Sequence, residues 1–257
     1  MPDLKVTLIQ TELFWEDIEA NLNMFDRTLN SITEETHLIV LPEMFTTGFT
    51  MNAKQLAQDM AGSGVSWLSE KARQKRTDIV GSLIIQEHGA YYNRLVWAKP
   101  NGMRFTYDKR HLFRMAKEDE TYSGGAQHLT VLLNGWNIRP FICYDLRFPV
   151  WTRNLNNHYD LAIFIANWPK GRSSHWKTLL SARAIENQSY VAGCNRIGID
   201  GNGLFYSGDS SIIDYQGNTI IQKSDEPFVA TRVLSFDALV KYRNDFPAWK
   251  DADTERD

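Results

Sequence analysis

What this sequence has little of narrows it first. It carries only two cysteines, Cys143 and Cys194, in 257 residues, too few to staple a chain of this length. Positive charge is not in excess. Lys and Arg number 28 against 31 Asp and Glu, for a formal net charge of -3. That balance argues against nucleic acid or an anionic membrane as partner. No apolar run approaches the ~18 residues of a membrane span. The start, "MPDLKVTLIQTE", has neither the cationic flank nor the apolar stretch of a secretory signal. A cytoplasmic protein with reduced thiols is expected. The six histidines are scattered, with no HxH, HExxH or CxxC pair, so no metal is expected. There is no GxxxxGK loop, and "GIDGNG" (198–203) has its glycines in the wrong order for a dinucleotide fingerprint. It reads as a turn, and no cofactor is expected.

What is present is a chain 43% hydrophobic and 12% aromatic, enough to bury a large core. Short apolar runs of strand length recur at 5–10, 37–42, 78–85, 93–98, 129–133, 138–143, 161–166, 190–195 and 210–215. Between them lie helical patterns. Ile18, Leu22, Phe25 and Leu29 share one helical face, and so do Trp176, Leu179, Leu180 and Ala184. The pair Ser173 and Ser174 offers a cap for the second helix. The middle, 78–143, is strand-rich with hairpin-like turns such as "PNG" at 100–102. Sheets covered by helices on their outer faces account for this mixture. With no linker, low-complexity segment or fixed-period repeat, residues 1–257 read as one domain with a short polar tail at about 250–257.

Three reactive residues end three apolar strands. Glu43 follows "HLIVLP", Lys109 lies in "FTYDKRHLF", and Cys143 ends "IRPFIC". Ends of strands in α/β architectures are where ligands bind. Each has a bland alternative: a solvated acid, a surface lysine, a packed thiol. Cys194 keeps the packed reading. Together the three supply a complete chemistry. A cysteine near pKa ~8.5 needs a base or a cation to act as a nucleophile. A carboxylate can take its proton and pass it to a leaving amine, and a lysine can stabilise the thiolate and an oxyanion. No histidine stands in a context that marks it as the base, although His111 and His175 remain open as supporting groups.

The segments "LPEMFTTGF", "YDKRHLF" and "ICYDLRFP" resemble, in order, the three signature segments of the nitrilase superfamily of carbon–nitrogen hydrolases. The resemblance extends over nearly the whole chain. It implies a four-layer α-β-β-α sandwich whose subunits pair as a homodimer through the helical layer. By motif it makes Glu43 the general base, Lys109 the oxyanion stabiliser and Cys143 the nucleophile. The backbone N–H of Tyr144 completes the oxyanion hole. A second acid follows the lysine in many members. Glu118, Asp119 and Glu120 all qualify, and Glu118 is preferred from its distance to "YSGG".

Within the superfamily, "HLFRMAKE", "NWPKGR" and "GDSSIIDYQG" resemble bacterial ω-amidases. Those cleave the terminal amide of 2-oxoglutaramate and 2-oxosuccinamate. Arg172 is then the candidate for the substrate carboxylate and Trp168 for an apolar wall, against a solvated cation and a core indole. Asp145 and Arg147 read as braces of the turn after Cys143. The rivals are an aliphatic amidase, a carbamoyl-amide hydrolase or a nitrilase with the same chemistry, and a binding module that keeps the fold alone.

Overall fold

The computed structural model describes residues 1–253. In chain order its elements are β1 (Leu4–Gln10), α1 (Ile18–Ser31), β2 (Leu38–Val40), α2 (Ala53–Leu56), α3 (Ser63–Lys75), β3 (Asp78–Glu87), β4 (Ala90–Ala98), β5 (Arg104–Asp108), α4 (Glu118–Thr121), β6 (Val131–Leu133) and β7 (Trp136–Ile142). There follow α5 (Pro149–Thr152), β8 (Leu161–Ala166), α6 (Ser173–Asn187), β9 (Tyr190–Asn195), β10 (Ile197–Ile199), β11 (Phe205–Ile213), β12 (Thr219–Ser224), β13 (Phe228–Leu234) and α7 (Phe236–Asp245).

Two sheets result. One runs β13-β1-β2-β3-β4-β5, the other β10-β11-β9-β8-β7-β6 with β12 paired to β11. β1, β2 and β3 are parallel, as are β7, β8 and β9. Their all-buried runs, such as "LAIFIA" in β8, are what a strand covered on both faces requires. Between the sheets lie Val6, Leu8, Val40 and Trp97 from one and Ile138, Ile163, Ala192 and Cys194 from the other. Outside the first sheet, Phe25 and Leu29 of α1 and Val65, Leu68 and Ala72 of α3 pack on Ile39, Ile79 and Val96. Outside the second, Trp176, Leu180 and Ala184 of α6 pack on Phe164, Val191 and Ile213. The order of layers is therefore α-β-β-α, with three separate apolar seams. Among the described residues, no helix is long and apolar enough to cross a membrane.

Several local expectations resolve differently. The hydroxyl of Ser173 does not cap α6. The N-cap is Arg172, without a side-chain bond, and Ser173 Oγ donates instead to Asp209 Oδ2 at 2.8 Å. Strands β10, β12 and β13 and helices α3 and α7 arise where no element was read. β13 closes the first sheet by pairing antiparallel with β1, a contact between chain ends that leaves no local trace. The "PNG" turn joins β4 to β5, with Gly102 at φ +88°. The "GIDGNG" turn is stapled by Asp200, whose Oδ1 accepts from the N–H groups of Asn202 and Leu204. The expected tail begins as a short 3-10 turn, Ala248–Asp251, and its last four positions lie outside the described residues.

Candidate active site

The parallel strands of the two sheets deliver their carboxyl ends to one place. β2 leads to Glu43 and β5 to Lys109, while β7 leads to Cys143 and β8 to Asn167. The acid and the amine thus come from one sheet, the sulfur from the other. Glu43 and Glu118 are fully buried and Lys109 is 1% exposed. Lys109 Nζ donates to Glu43 Oε1 at 2.9 Å and to Glu118 Oε1 and Oε2 at 2.9 and 3.0 Å. Glu118 Oε2 also accepts the Phe113 N–H at 2.6 Å. Of the three acids after the lysine, only Glu118 turns inward. Asp119 and Glu120 lie at the surface beside Arg114 and Lys117.

Charge in this cluster follows from burial and neighbours. Burial works against the Lys109 ammonium, but Glu118 and then Glu43 outweigh it and hold its pKa above the ordinary value. Burial raises the Glu118 carboxyl, opposed by Lys109 and assisted by Glu43. Burial likewise raises the Cys143 thiol well above its usual range. Glu43 pushes it the same way and Lys109 opposes. Burial and Glu43 thus favour a neutral thiol over a thiolate paired with lysine. Any attack requires a base at the moment of reaction.

The nucleophile candidate sits at a strained point. Cys143 has φ +45°, a left-handed conformation unusual for a non-glycine residue and worth about 1–3 kcal/mol of strain. It opens a 3-10 turn, Cys143–Arg147, that swings the chain off the end of β7. Asp145 holds that turn. Its fully buried carboxylate accepts from Ile142 N–H at 3.1 Å, Tyr107 OH at 2.6 Å and His111 N–H at 3.0 Å, and its Oδ1 lies 2.8 Å from His111 Nδ1. His111 thus supports the turn through Asp145. Arg147 is not a brace. Its guanidinium stacks 4.7 Å from the Trp168 ring and bonds to His175 Nδ1 at 3.0 Å.

A cavity of about 600 Å³ opens onto Cys143. Lys109, Tyr144, Arg147, Asn167, Trp168 and Arg172 are among the residues that line it. Trp168 is both wall and core: 3% exposed, it donates from Nε1 to the Arg172 carbonyl at 2.8 Å and packs 5.5 Å from the Trp176 ring. Arg172 lies over the Phe113 ring at 5.3 Å. Burial, and then the neighbouring positive charge of Arg172, lower the Arg147 pKa. Among the described residues, neither arginine has a carboxylate within ion-pair distance. Among the described residues, no group of His, Cys, Asp and Glu side chains is arranged to hold a metal ion.

This geometry can be set against known proteins. Residues 5–244 match the carbon-nitrogen hydrolase family model. The chain belongs to the carbon–nitrogen hydrolase family. It is 52% identical over 261 residues to the omega-amidase YafV of Escherichia coli (strain K12), covering 100% of this chain and 99% of that one. A 2-oxoglutaramate amidase of Bacillus subtilis (strain 168) is 31% identical over 250 residues, 96% of each chain. XC1258 from Xanthomonas campestris, a CN-hydrolase superfamily protein with an arsenic adduct in its active site, superposes with a TM-score of 0.98 at 41% identity, over 100% of this chain and 99% of that one.

In this carbon–nitrogen hydrolase all seven site residues read from sequence meet at one cavity or directly beneath it. Three further residues had no sequence signal. Asn167 donates its N–H to Glu43 Oε2 at 2.8 Å and its Nδ2 to the Glu43 carbonyl at 2.6 Å. Asn93 donates to Glu43 Oε1 at 2.8 Å. Asn195 locks the Trp168 segment, accepting its N–H at 2.8 Å and donating to its carbonyl at 3.0 Å. An asparagine in or beside a strand looks like any polar interruption until its partners are seen.

Proposed function

We propose that this carbon–nitrogen hydrolase is an ω-amidase, releasing ammonia from the terminal amide of 2-oxoglutaramate or 2-oxosuccinamate. One observation carries the specificity. Arg147 and Arg172 both face the cavity that leads to Cys143, and neither has a carboxylate partner among the described residues. Two guanidinium groups without a carboxylate partner in a partly desolvated pocket call for an anionic ligand. The names of the relatives point the same way.

In this reading Glu43 takes the thiol proton as the Cys143 sulfur bonds to the amide carbon. Lys109 and the Tyr144 N–H receive the oxyanion. Glu43 returns the proton to the amide nitrogen, the carbon–nitrogen bond breaks, and ammonia leaves a thioester. Water, deprotonated by Glu43, attacks that thioester. The carbon–sulfur bond breaks, the sulfur regains its proton, and a dicarboxylate departs. Glu118 holds Lys109 in place through both of its oxygens. Arg172 receives the distal carboxylate and Trp168 forms the wall beside it.

The same reading makes the whole chain one catalytic unit, since both sheets contribute to the site. It also carries a homodimer paired through the helical layer and a cytoplasmic location in which both free cysteines stay reduced. Coupled ammonia detection over a panel of small amides is the test. Wild-type protein should favour 2-oxoglutaramate, and Cys143→Ala should release no ammonia while keeping its fold. Preference for a neutral aliphatic amide, a carbamoyl amide or a nitrile would replace this assignment. Normal turnover in the alanine variant would end the thioester mechanism.

A further inference from the structure

Asn93 lies within β4 with no exposed surface. Its Nδ2 donates to Glu43 Oε1 at 2.8 Å and reaches Glu118 Oε1 at 3.5 Å. Its backbone carbonyl accepts the Lys109 N–H at 3.0 Å. A single residue therefore touches three of the groups assigned to the reaction. Its other amide atom, Oδ1, is buried without a partner. The two carboxylates set the orientation, because turning the amide over would aim an oxygen at both.

The charge count explains why such a donor is needed. Glu43 and Glu118 share one ammonium, Lys109, so with both carboxyls ionised the buried cluster would carry one negative charge in excess. Adjacent buried carboxylates relieve such an excess by binding a proton. A proton resting on Glu43 would remove the base. We propose that Asn93 is a positioning residue whose amide bridges the two carboxylates and keeps Glu43 ionised and aimed at the reacting thiol. This rests on the reading of Glu43 as the base.

Among the described residues, the other ionisable groups facing this pair, Lys109, Cys143 and Tyr122, all have their pKa values raised. Lys109, after β5, is held charged by the two acids although burial opposes it. Cys143, after β7, is held protonated by burial. Tyr122, closing α4, is held neutral by burial and feels Glu118, Lys109, Glu43 and Glu16 in turn.

The test uses Asn93→Leu and Asn93→Asp in the full-length enzyme, both close in size to asparagine. kcat/KM for 2-oxoglutaramate is measured against pH, with Tm recorded for each variant. Removing a hydrogen bond to a charged group costs about tenfold to a hundredfold in rate. N93L should show that loss at neutral pH, with its acid limb moved up by about one pH unit, and should recover as pH rises. N93D should do the opposite, losing activity as pH rises, because its own ionisation adds a third negative charge. Wild-type midpoints in both variants would overturn the inference however low the activity, since a packing defect lowers the rate without moving a midpoint. Glu43→Gln separates the two readings. If that variant keeps wild-type turnover, base and bridge fall together. If it is inactive while N93L keeps the wild-type midpoint, the Asn93 role alone falls.

Discussion

Asn167 and Glu43 are joined twice across the gap between the two sheets, once through the Asn167 N–H to Oε2 at 2.8 Å and once through Nδ2 to the Glu43 carbonyl at 2.6 Å. The second bond fixes the backbone of the acid and the first aims its carboxylate. Asn167→Ala keeps the first bond and loses the second. The expected result is a kcat lowered about tenfold with KM little changed, read from steady-state kinetics on 2-oxoglutaramate. An unchanged kcat would show that β2 alone holds Glu43 in place.

A neutral resting thiol predicts a particular alkylation profile. Burial and Glu43 both raise the Cys143 pKa, so the thiolate fraction keeps growing through the alkaline range. The rate of iodoacetamide labelling at Cys143 should climb steadily from pH 7 to pH 10. A plateau reached near neutrality would mean a resting thiolate held by Lys109.

The facing arginines predict a loss that depends on the charge of the substrate. Arg172→Ala and Arg147→Ala should each raise KM for 2-oxoglutaramate about tenfold to a hundredfold, the worth of a charge-assisted hydrogen bond. A neutral amide of the same length should be nearly unaffected. Equal loss on both substrates would assign these side chains to the shape of the pocket rather than to its charge.

Asp145 predicts a stability effect. Replacing it with alanine strands the Ile142 and His111 N–H groups and the Tyr107 hydroxyl. At least two of these are buried, and each costs about 1–3 kcal/mol. Asp145→Ala should lower Tm by roughly 4–24 °C for a chain of this size, measured by calorimetry. A shift under about 2 °C would show that the turn after β7 is held by its packing alone.

Sequence made some of this visible and not the rest, for physical reasons. Glu43, Lys109 and Cys143 stand out because a reactive side chain ending an apolar strand has few structural uses. The strands "LAIFIA" and "YVAGCN" announce themselves by continuous apolar character. β13 does not, because it forms an edge with mixed exposure. α7 carries only two buried residues, Leu239 and Arg243, too few for a clear stripe. Asn93 and Asn167 were silent because what they do depends on one carboxylate, that of Glu43, 50 and 124 positions away. Arg147 looked like a turn residue because its place on the cavity wall is set by Trp168 and His175, which are supplied from beyond β8.

The pairing of β1 with β13 bears on how the molecule is made. Leu4 meets Leu234 and Gln10 meets Phe228, so β1 cannot be closed until β13 has been made. Until then the sheet that holds Glu43 and Lys109 ends in an unpaired β1, a bare edge open to pairing with other chains. A polar residue in the middle of that edge, Thr7, finds Thr231 at 2.9 Å once the strand closes. Loss of the C-terminal segment would therefore cost solubility during synthesis before it cost any catalytic group.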